Sequence, residues 1–93
     1  MMLPKGYRLE RVPYRCRLWY RDRFVCHVRV SHEADTVLAI VDLHQRYRDL
    51  EVAERQAVAR AEFGRAVELN RQRLQLAREI RQLGRRPAER SEP

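Results

Sequence analysis

Glycine is scarce in this 93-residue chain, in which only Gly6, Gly64 and Gly84 occur. Loops that hold phosphate groups with closely approaching backbone need several glycines within a few residues, so no such loop is expected. The candidate nucleophiles are also few: Ser31, Thr36, Ser91 and the two cysteines. We therefore expect a protein that is not an enzyme and uses no cofactor.

Cysteine and histidine are too few for a disulfide framework or a metal site. Cys16 and Cys26 fall on the apolar side of the two strands, and we expect both to pack there as free thiols. His27, His32 and His44 show no zinc-ligand spacing, so no metal is expected. His44 instead fits the apolar stripe of a helix.

Long apolar runs are absent as well. A membrane-spanning helix requires about 20 consecutive apolar residues, and no run approaches that length. The first residues, MMLPKG, lack the apolar core of a secretory signal. With so few cysteines, the expectation is a cytoplasmic protein with no membrane partner.

Lysine is nearly absent: of the 20 basic residues only Lys5 is not arginine, and 13 acidic residues leave a net charge of +7. Residues 1–32 hold eight basic and two acidic residues, residues 33–70 five and eight, and residues 71–93 seven and three. Arginine grips phosphate or carboxylate groups with two parallel donors and stacks on flat rings. This favours an anionic partner, although a GC-rich genome also raises the arginine content.

A hairpin is indicated by strict alternation of apolar and polar residues over 14–20 and 24–30. A third, edge strand over 7–12 ends before Pro13. Placing the apolar residues of both long strands on one face pairs Leu18 with Cys26. The same register pairs Cys16 with Val28, Tyr20 with Phe24 and Tyr14 with Val30. It also requires a loop with an odd number of residues, Arg21-Asp22-Arg23, in which Asp22 or Arg23 takes a left-handed conformation.

Helical composition runs from about residue 35 to Leu83, without proline, after a candidate N-cap at Ser31 or Asp35. A single helix would be roughly 70 Å long. Either the chain turns back near residues 48–51 or at Gly64, or one long helix packs against another copy of the chain, and we favour the turn. The first helix, residues 35–48, packs on the sheet. Its inward-facing stripe is Val37, Ile40, Val41, His44 and Tyr47.

The expected fold class is α+β: a short antiparallel sheet packed by one helix and followed by a long amphipathic helix. Residues 1–83 form one small domain, and residues 84–93 form a disordered basic tail. The second helix has two apolar sides, with Phe63, Val67 and Leu74 on one of them. A homodimer through residues 63–83 is the interpretation of this pattern.

The outer face of the hairpin is the first candidate site. The predicted register sets Arg15 opposite Arg29 and Arg17 opposite His27, and like charges directly opposite each other destabilise a sheet. A phosphate backbone would offset that repulsion, with Trp19 stacking on a base. The predicted nucleic-acid-binding residues of the hairpin are Arg15, Arg17, Trp19, Arg21, Arg23 and Arg29. An acidic protein surface or a plain solvated face explains the pattern as well.

Two further charged sets lie on the helices. Arg78, Arg81 and Arg85 share one helical face that can follow phosphates, although arginine near a helix C-terminus is also favoured by the dipole. Asp35, Asp42 and Asp49 recur every seven residues. They form either a solvated face, paired in part with Arg46, or a surface for a basic protein partner.

The element order, three strands and then a helix, resembles that of the arm-type DNA-binding domains of phage integrases. The glycine-containing turn of those domains has no counterpart here, so the resemblance implies no site residues. The sequence thus predicts a non-enzymatic nucleic-acid-binding protein, a regulator or accessory factor of a mobile element. The alternatives are a protein-binding adaptor or inhibitor, such as phages make against host machinery, and a self-assembling structural subunit.

Overall fold

Three strands and two helices make up the chain in the computed structural model, which describes residues 2–29 and 34–85. In chain order they are β1 (Tyr7–Val12), β2 (Arg15–Tyr20), β3 (Arg23–Arg29), α1 (Ala34–Ala59) and α2 (Phe63–Arg85). The strands form one antiparallel sheet in the order β1-β2-β3. The α+β prediction is confirmed, with the hairpin, the edge strand and a long second helix.

The register of the hairpin agrees with the prediction over most of its length. Cys16 pairs with Val28 and Leu18 with Cys26, but the register then shifts, so that Trp19 pairs with Phe24. Val25 is thereby left as the extra residue of a β-bulge. The predicted partnership of Tyr20 with Phe24 is wrong, because Tyr20 pairs with Arg23.

The turn of the hairpin has two residues, Arg21 and Asp22, and not the three that were predicted. Arg21 takes the left-handed conformation, with φ of 53°, where Asp22 or Arg23 was expected. A two-residue turn moves the register by one position, and the bulge at Val25 moves it back. Leu18 and Cys26 before the irregularity and Tyr20 after it therefore all lie on the inner face.

Tyr14 belongs to the turn between β1 and β2, with φ of 67°, and is 96% exposed. Its predicted place on the inner face is wrong, because β2 begins only at Arg15 and the paired ends are Val12 and Arg15. Its predicted partner Val30 lies outside the described residues.

The main core lies between the inner face of the sheet and the two helices. Its fully buried centre is Leu18, Val28, Ile40 and Val41, and Ile80 of α2 completes it. The predicted stripe of α1 is confirmed: Val37, Ile40, Val41 and His44 are buried and Tyr47 is half-buried. Cys16 and Cys26 are buried free thiols, as predicted.

The two helices form a hairpin whose turn, residues 60–62, differs from both predicted positions. Ala61 takes φ of 59° there, and α1 extends well past the predicted end at residue 48. A second cluster of buried residues explains the difference: Ala57, Ala66 and Leu69, with Leu50 and Ala53 beside them. The alanines that thin the apolar stripe of α1 are the residues that let α2 approach closely.

Both ends of the helical segment also differ from expectation. Asp35 lies in the first turn of α1 and not at its N-cap, where its charge still suits the helix dipole; Ser31 lies outside the described residues. At the other end α2 includes Gly84 and Arg85, which were assigned to the tail. Gly84 lies against the backbone of His27 in β3, where a Cβ atom would overlap the carbonyl oxygen. This glycine therefore serves close packing and not helix termination.

Candidate nucleic-acid interface

The face of the sheet turned away from the helices carries a row of arginines. Arg15 of β2 pairs with Arg29 of β3, and Arg17 pairs with His27, as the sequence predicts. Arg15, His27 and Arg29 are exposed, and the side chain of Arg17 is 39% exposed. We call this surface the outer face: Arg8, Glu10, Arg15, Arg17, Trp19, Phe24, His27 and Arg29.

Positive potential dominates the outer face. Desolvation and then the charges of Arg15 and Arg17 lower the pKa of His27. Glu10 supplies a carboxylate, which lies 3.8 Å from a guanidinium nitrogen of Arg17 and also accepts a hydrogen bond from Nε1 of Trp19 at 3.0 Å. One carboxylate does not neutralise the arginines around it, so this face attracts anions.

Three rings lie in sequence across the outer face. The centroids of Trp19 and Phe24 are 5.6 Å apart and those of Phe24 and His27 are 4.9 Å apart, both in edge-to-face geometry. The guanidinium group of Arg8 lies over the Trp19 ring, 5.0 Å from its centroid. Trp19 is thus held by partners on β1, whereas Phe24 is 47% exposed.

Phe24 is the residue of this face that the sequence analysis misplaced, since it was assigned to the core opposite Tyr20. The bulge at Val25 reverses its direction and sets it beside Trp19. Nothing in the sequence of the turn marks that irregularity, because no glycine is present there. Only the exposed, edge-to-face position reveals the ring as part of the surface.

Arg29 connects the outer face to α2. Its Nε atom donates a hydrogen bond of 2.9 Å to the backbone carbonyl of Arg85, 56 residues further along the chain. Arg78, Arg81 and Arg85 line, with Gln82, an open cleft of about 340 Å³ along the last turns of α2. Arg81, which shares a small cleft with Phe24 and Val25, and Arg85 therefore lie beside the edge of β3.

Arg21 and Arg23 do not join this surface. Arg23 turns toward the helices and donates two hydrogen bonds to the Glu51 carboxylate of α1, at 3.3 and 3.2 Å, which raise its pKa. Arg21 lies at the hairpin turn with its guanidinium group 5.3 Å from the centroid of the Tyr20 ring. The six predicted hairpin residues thus divide into four on the outer face and two elsewhere.

The acidic set proposed for a protein partner lies on α1. Asp35, Asp42 and Asp49 are all exposed, and Asp42 pairs with Arg46 at 3.1 Å, which agrees with the solvated-face interpretation. Asp49 lines an open groove of about 670 Å³ between α1 and α2, together with Leu50, Leu76 and several polar side chains. The partner interpretation of these carboxylates stays a prediction.

Within residues 2–29 and 34–85, no three histidine, cysteine or acidic side chains converge as a metal site would require. None of the helices in the same part of the chain has the length and apolar character needed to cross a membrane. Comparisons with protein-family models, with curated proteins and with solved structures find no match to this chain.

Proposed function

We propose that this protein binds nucleic acid without catalysing a reaction, through the outer face together with Arg78, Arg81 and Arg85. The observation that carries the proposal is the hydrogen bond from Arg29 to the carbonyl of Arg85, which holds the arginine-bearing end of α2 against the basic face of the sheet. Such a protein acts as a regulator or an accessory factor that positions other components on the nucleic acid.

The pairing of Arg15 with Arg29 supports an anionic partner. Two arginines at directly opposite positions of an antiparallel pair bring like charges near each other, and this lowers the stability of the sheet. A phosphate bound between them would replace repulsion with two charge-assisted contacts. The backbone of a nucleic acid carries evenly spaced phosphates, so further phosphates could contact Arg81 and Arg85 of α2 in the same way.

The salt dependence of binding tests the proposal. If Arg15, Arg17, Arg29, Arg78, Arg81 and Arg85 each neutralise one phosphate, a plot of the logarithm of the affinity against the logarithm of the salt concentration has a slope of about −4 for a single strand and about −5.5 for a duplex. Fluorescence anisotropy with a labelled mixed-sequence oligonucleotide, single-stranded and duplex, measures this slope directly.

Two triple variants with equal loss of charge locate the site. Arg15→Ala, Arg17→Ala and Arg29→Ala together should weaken binding to all sequences and reduce the size of the salt slope by about half. The matched control replaces Arg55, Arg60 and Arg65, which are exposed near the turn between the helices, and should change affinity much less. Equal losses for both would mean that net charge, and not the outer face, governs binding.

Reversing the acidic residues separates nucleic acid from a protein partner. Asp35→Lys, Asp42→Lys and Asp49→Lys together should leave nucleic-acid binding unchanged or improve it, because the total positive charge rises. If the chain instead recovers a protein from nuclease-treated lysate, and the triple reversal abolishes that recovery, the adaptor interpretation would replace the proposal.

A further inference from the structure

We infer that the outer face is selective for single-stranded nucleic acid, whose unpaired bases stack on Phe24. This inference rests on the proposed function and names its substrate class. The basic residues alone do not distinguish single strands from a duplex, since both present phosphates. The exposed ring among those residues makes the distinction.

Phe24 belongs to β3, and regular pairing of this strand would have placed its ring on the buried inner face. Instead the bulge at Val25 brings it to the outer face, with about half of its surface exposed. Leaving an aromatic ring in water forgoes the stabilisation that burial would bring. An exposed ring among arginines can bind a partner that has both negative charge, for the arginines, and a flat face, for the ring.

The ring is held in position by its neighbours. Trp19 and His27 contact it from two sides in edge-to-face geometry, and Trp19 is in turn fixed by its hydrogen bond to Glu10. A ring that is already ordered loses little conformational entropy when a base stacks on it. Stacking on an aromatic side chain is tolerant of base identity, because every base offers the same kind of face.

Phosphate contacts are available on both sides of Phe24. On the sheet, Arg15 and Arg17 surround His27, next to the ring. On the helix side, Arg81 lines a small cleft of about 150 Å³ together with Phe24 and Ala77. A base stacked on Phe24 would therefore lie next to Arg15 and Arg17 on the outer face, with Arg81 at the neighbouring edge of β3.

A duplex cannot use this arrangement fully. Its bases are stacked on one another and present only their edges in the grooves, so their faces are closed to a side-chain ring. In a single strand the bases can turn outward onto aromatic side chains, and this is how proteins without sequence preference bind it. Phe24 should thus strengthen binding to single strands and leave binding to duplexes nearly unchanged.

Trp19 provides a direct reporter, since it is the single tryptophan of the chain. An unlabelled single-stranded oligonucleotide that stacks beside it should quench its fluorescence. The same oligonucleotide annealed to its complement should bind at least about tenfold more weakly and quench less. Tighter binding of the duplex would overturn the inference and leave the proposed function standing, whereas failure of both forms to bind would overturn both.

Substitutions at the ring separate stacking from general apolar contact. Phe24→Leu should weaken single-strand binding about tenfold without changing duplex binding, and Phe24→Tyr should retain the wild-type preference. Phe63→Leu, the same change in the other phenylalanine of the chain, should have no effect. Thermal unfolding of each variant, followed by circular dichroism, verifies that it is folded. Equal single-strand affinities for the leucine variant and the wild type would rule out stacking at Phe24.

Discussion

Gly84 of α2 lies directly against the backbone carbonyl of His27 in β3, so that helix and strand meet there with no side chain between them. The contact covers the edge of β3 at His27 with a helix, which is one of the ways in which proteins protect an exposed strand. It also brings the end of α2 to the place where Arg29 reaches the carbonyl of Arg85. The close approach at Gly84 thus builds the surface to which we assign binding.

Gly84→Ala should destabilise the fold. The added methyl group would overlap backbone atoms, which cannot move as a flexible side chain can, so we expect a loss of about 1–3 kcal/mol in the free energy of unfolding. Urea denaturation measures the change. Gly64→Ala is the control, because nothing lies near its Cβ position and alanine is the better helix former. That variant should gain up to about 1 kcal/mol, and similar losses for both glycines would contradict this account.

Stability should also depend on the protonation of His44. Its Nδ1 atom lies 2.7 Å from the hydroxyl oxygen of Tyr7, and burial, followed by the charges of Arg48 and Arg23, lowers its pKa to about 4. Glu51 acts weakly in the opposite direction. In the unfolded chain a histidine titrates near 6.5, so the unfolded state takes up the proton first as the pH falls.

The contribution of His44 is therefore complete above about pH 6.5 and is lost between that value and about pH 4. Its total size is roughly 3 kcal/mol. Urea denaturation at a series of pH values gives the free energy of unfolding as a function of pH. Between about pH 4 and 6.5 this free energy should change less steeply with pH for His44→Gln than for the wild type. His27→Gln, at an exposed site, should keep most of the wild-type slope. Identical slopes for His44→Gln and the wild type would show that His44 is not the group responsible.

Glu54 should matter more to the helical hairpin than any exposed carboxylate of the same helices. Nε of Arg73 donates to it at 2.9 Å, and another nitrogen of Arg73 donates to the hydroxyl of Tyr47 at 2.9 Å. Burial alone would lower the pKa of Arg73, but these hydrogen bonds outweigh it and the pKa is raised. Both partners of the ion pair have about a fifth of their side chains exposed, so solvent screens the pair only in part.

Glu54→Gln should accordingly reduce the free energy of unfolding by about 1–2 kcal/mol, because the hydrogen bonds lose their charged acceptor. Glu68→Gln serves as the control. Its pair with Arg71 spans 3.6 Å and is largely exposed, so a change within about 0.5 kcal/mol is expected. Thermal denaturation of both variants gives the comparison. An equal loss of stability for Glu68→Gln and Glu54→Gln would contradict the larger role that we assign to Glu54.

The predicted homodimer has a visible candidate surface. Phe63, Val67 and Leu74 share a face of α2 and are 62%, 61% and 46% exposed. If residues 63–83 associate with a second copy, Val67→Glu should shift the protein toward the monomer, because it introduces a charge into the apolar contact. Sedimentation velocity over a range of concentrations measures this. If the wild-type protein sediments as a monomer at every concentration, the predicted homodimer is wrong.

Local periodicity was sufficient for much of the fold. Alternation placed Cys16, Leu18, Cys26 and Val28 on one face, and the spacing of Val37, Ile40 and Val41 identified the stripe that covers them. These patterns could be interpreted from the sequence because each depends only on the direction in which neighbouring side chains point within one element. The outward position of Arg15, Arg17 and Arg29 followed from the same rule.

The bulge at Val25, the outward turn of Phe24 and the helical turn at residues 60–62 were decided by the tertiary structure. Each is one of several local conformations of similar energy, and long-range packing selects among them. The alanines of the helical hairpin and the contact of Gly84 with His27 belong to that packing. The meeting of Arg29 and Arg85 has the same origin, because no local pattern relates residues that are 56 positions apart.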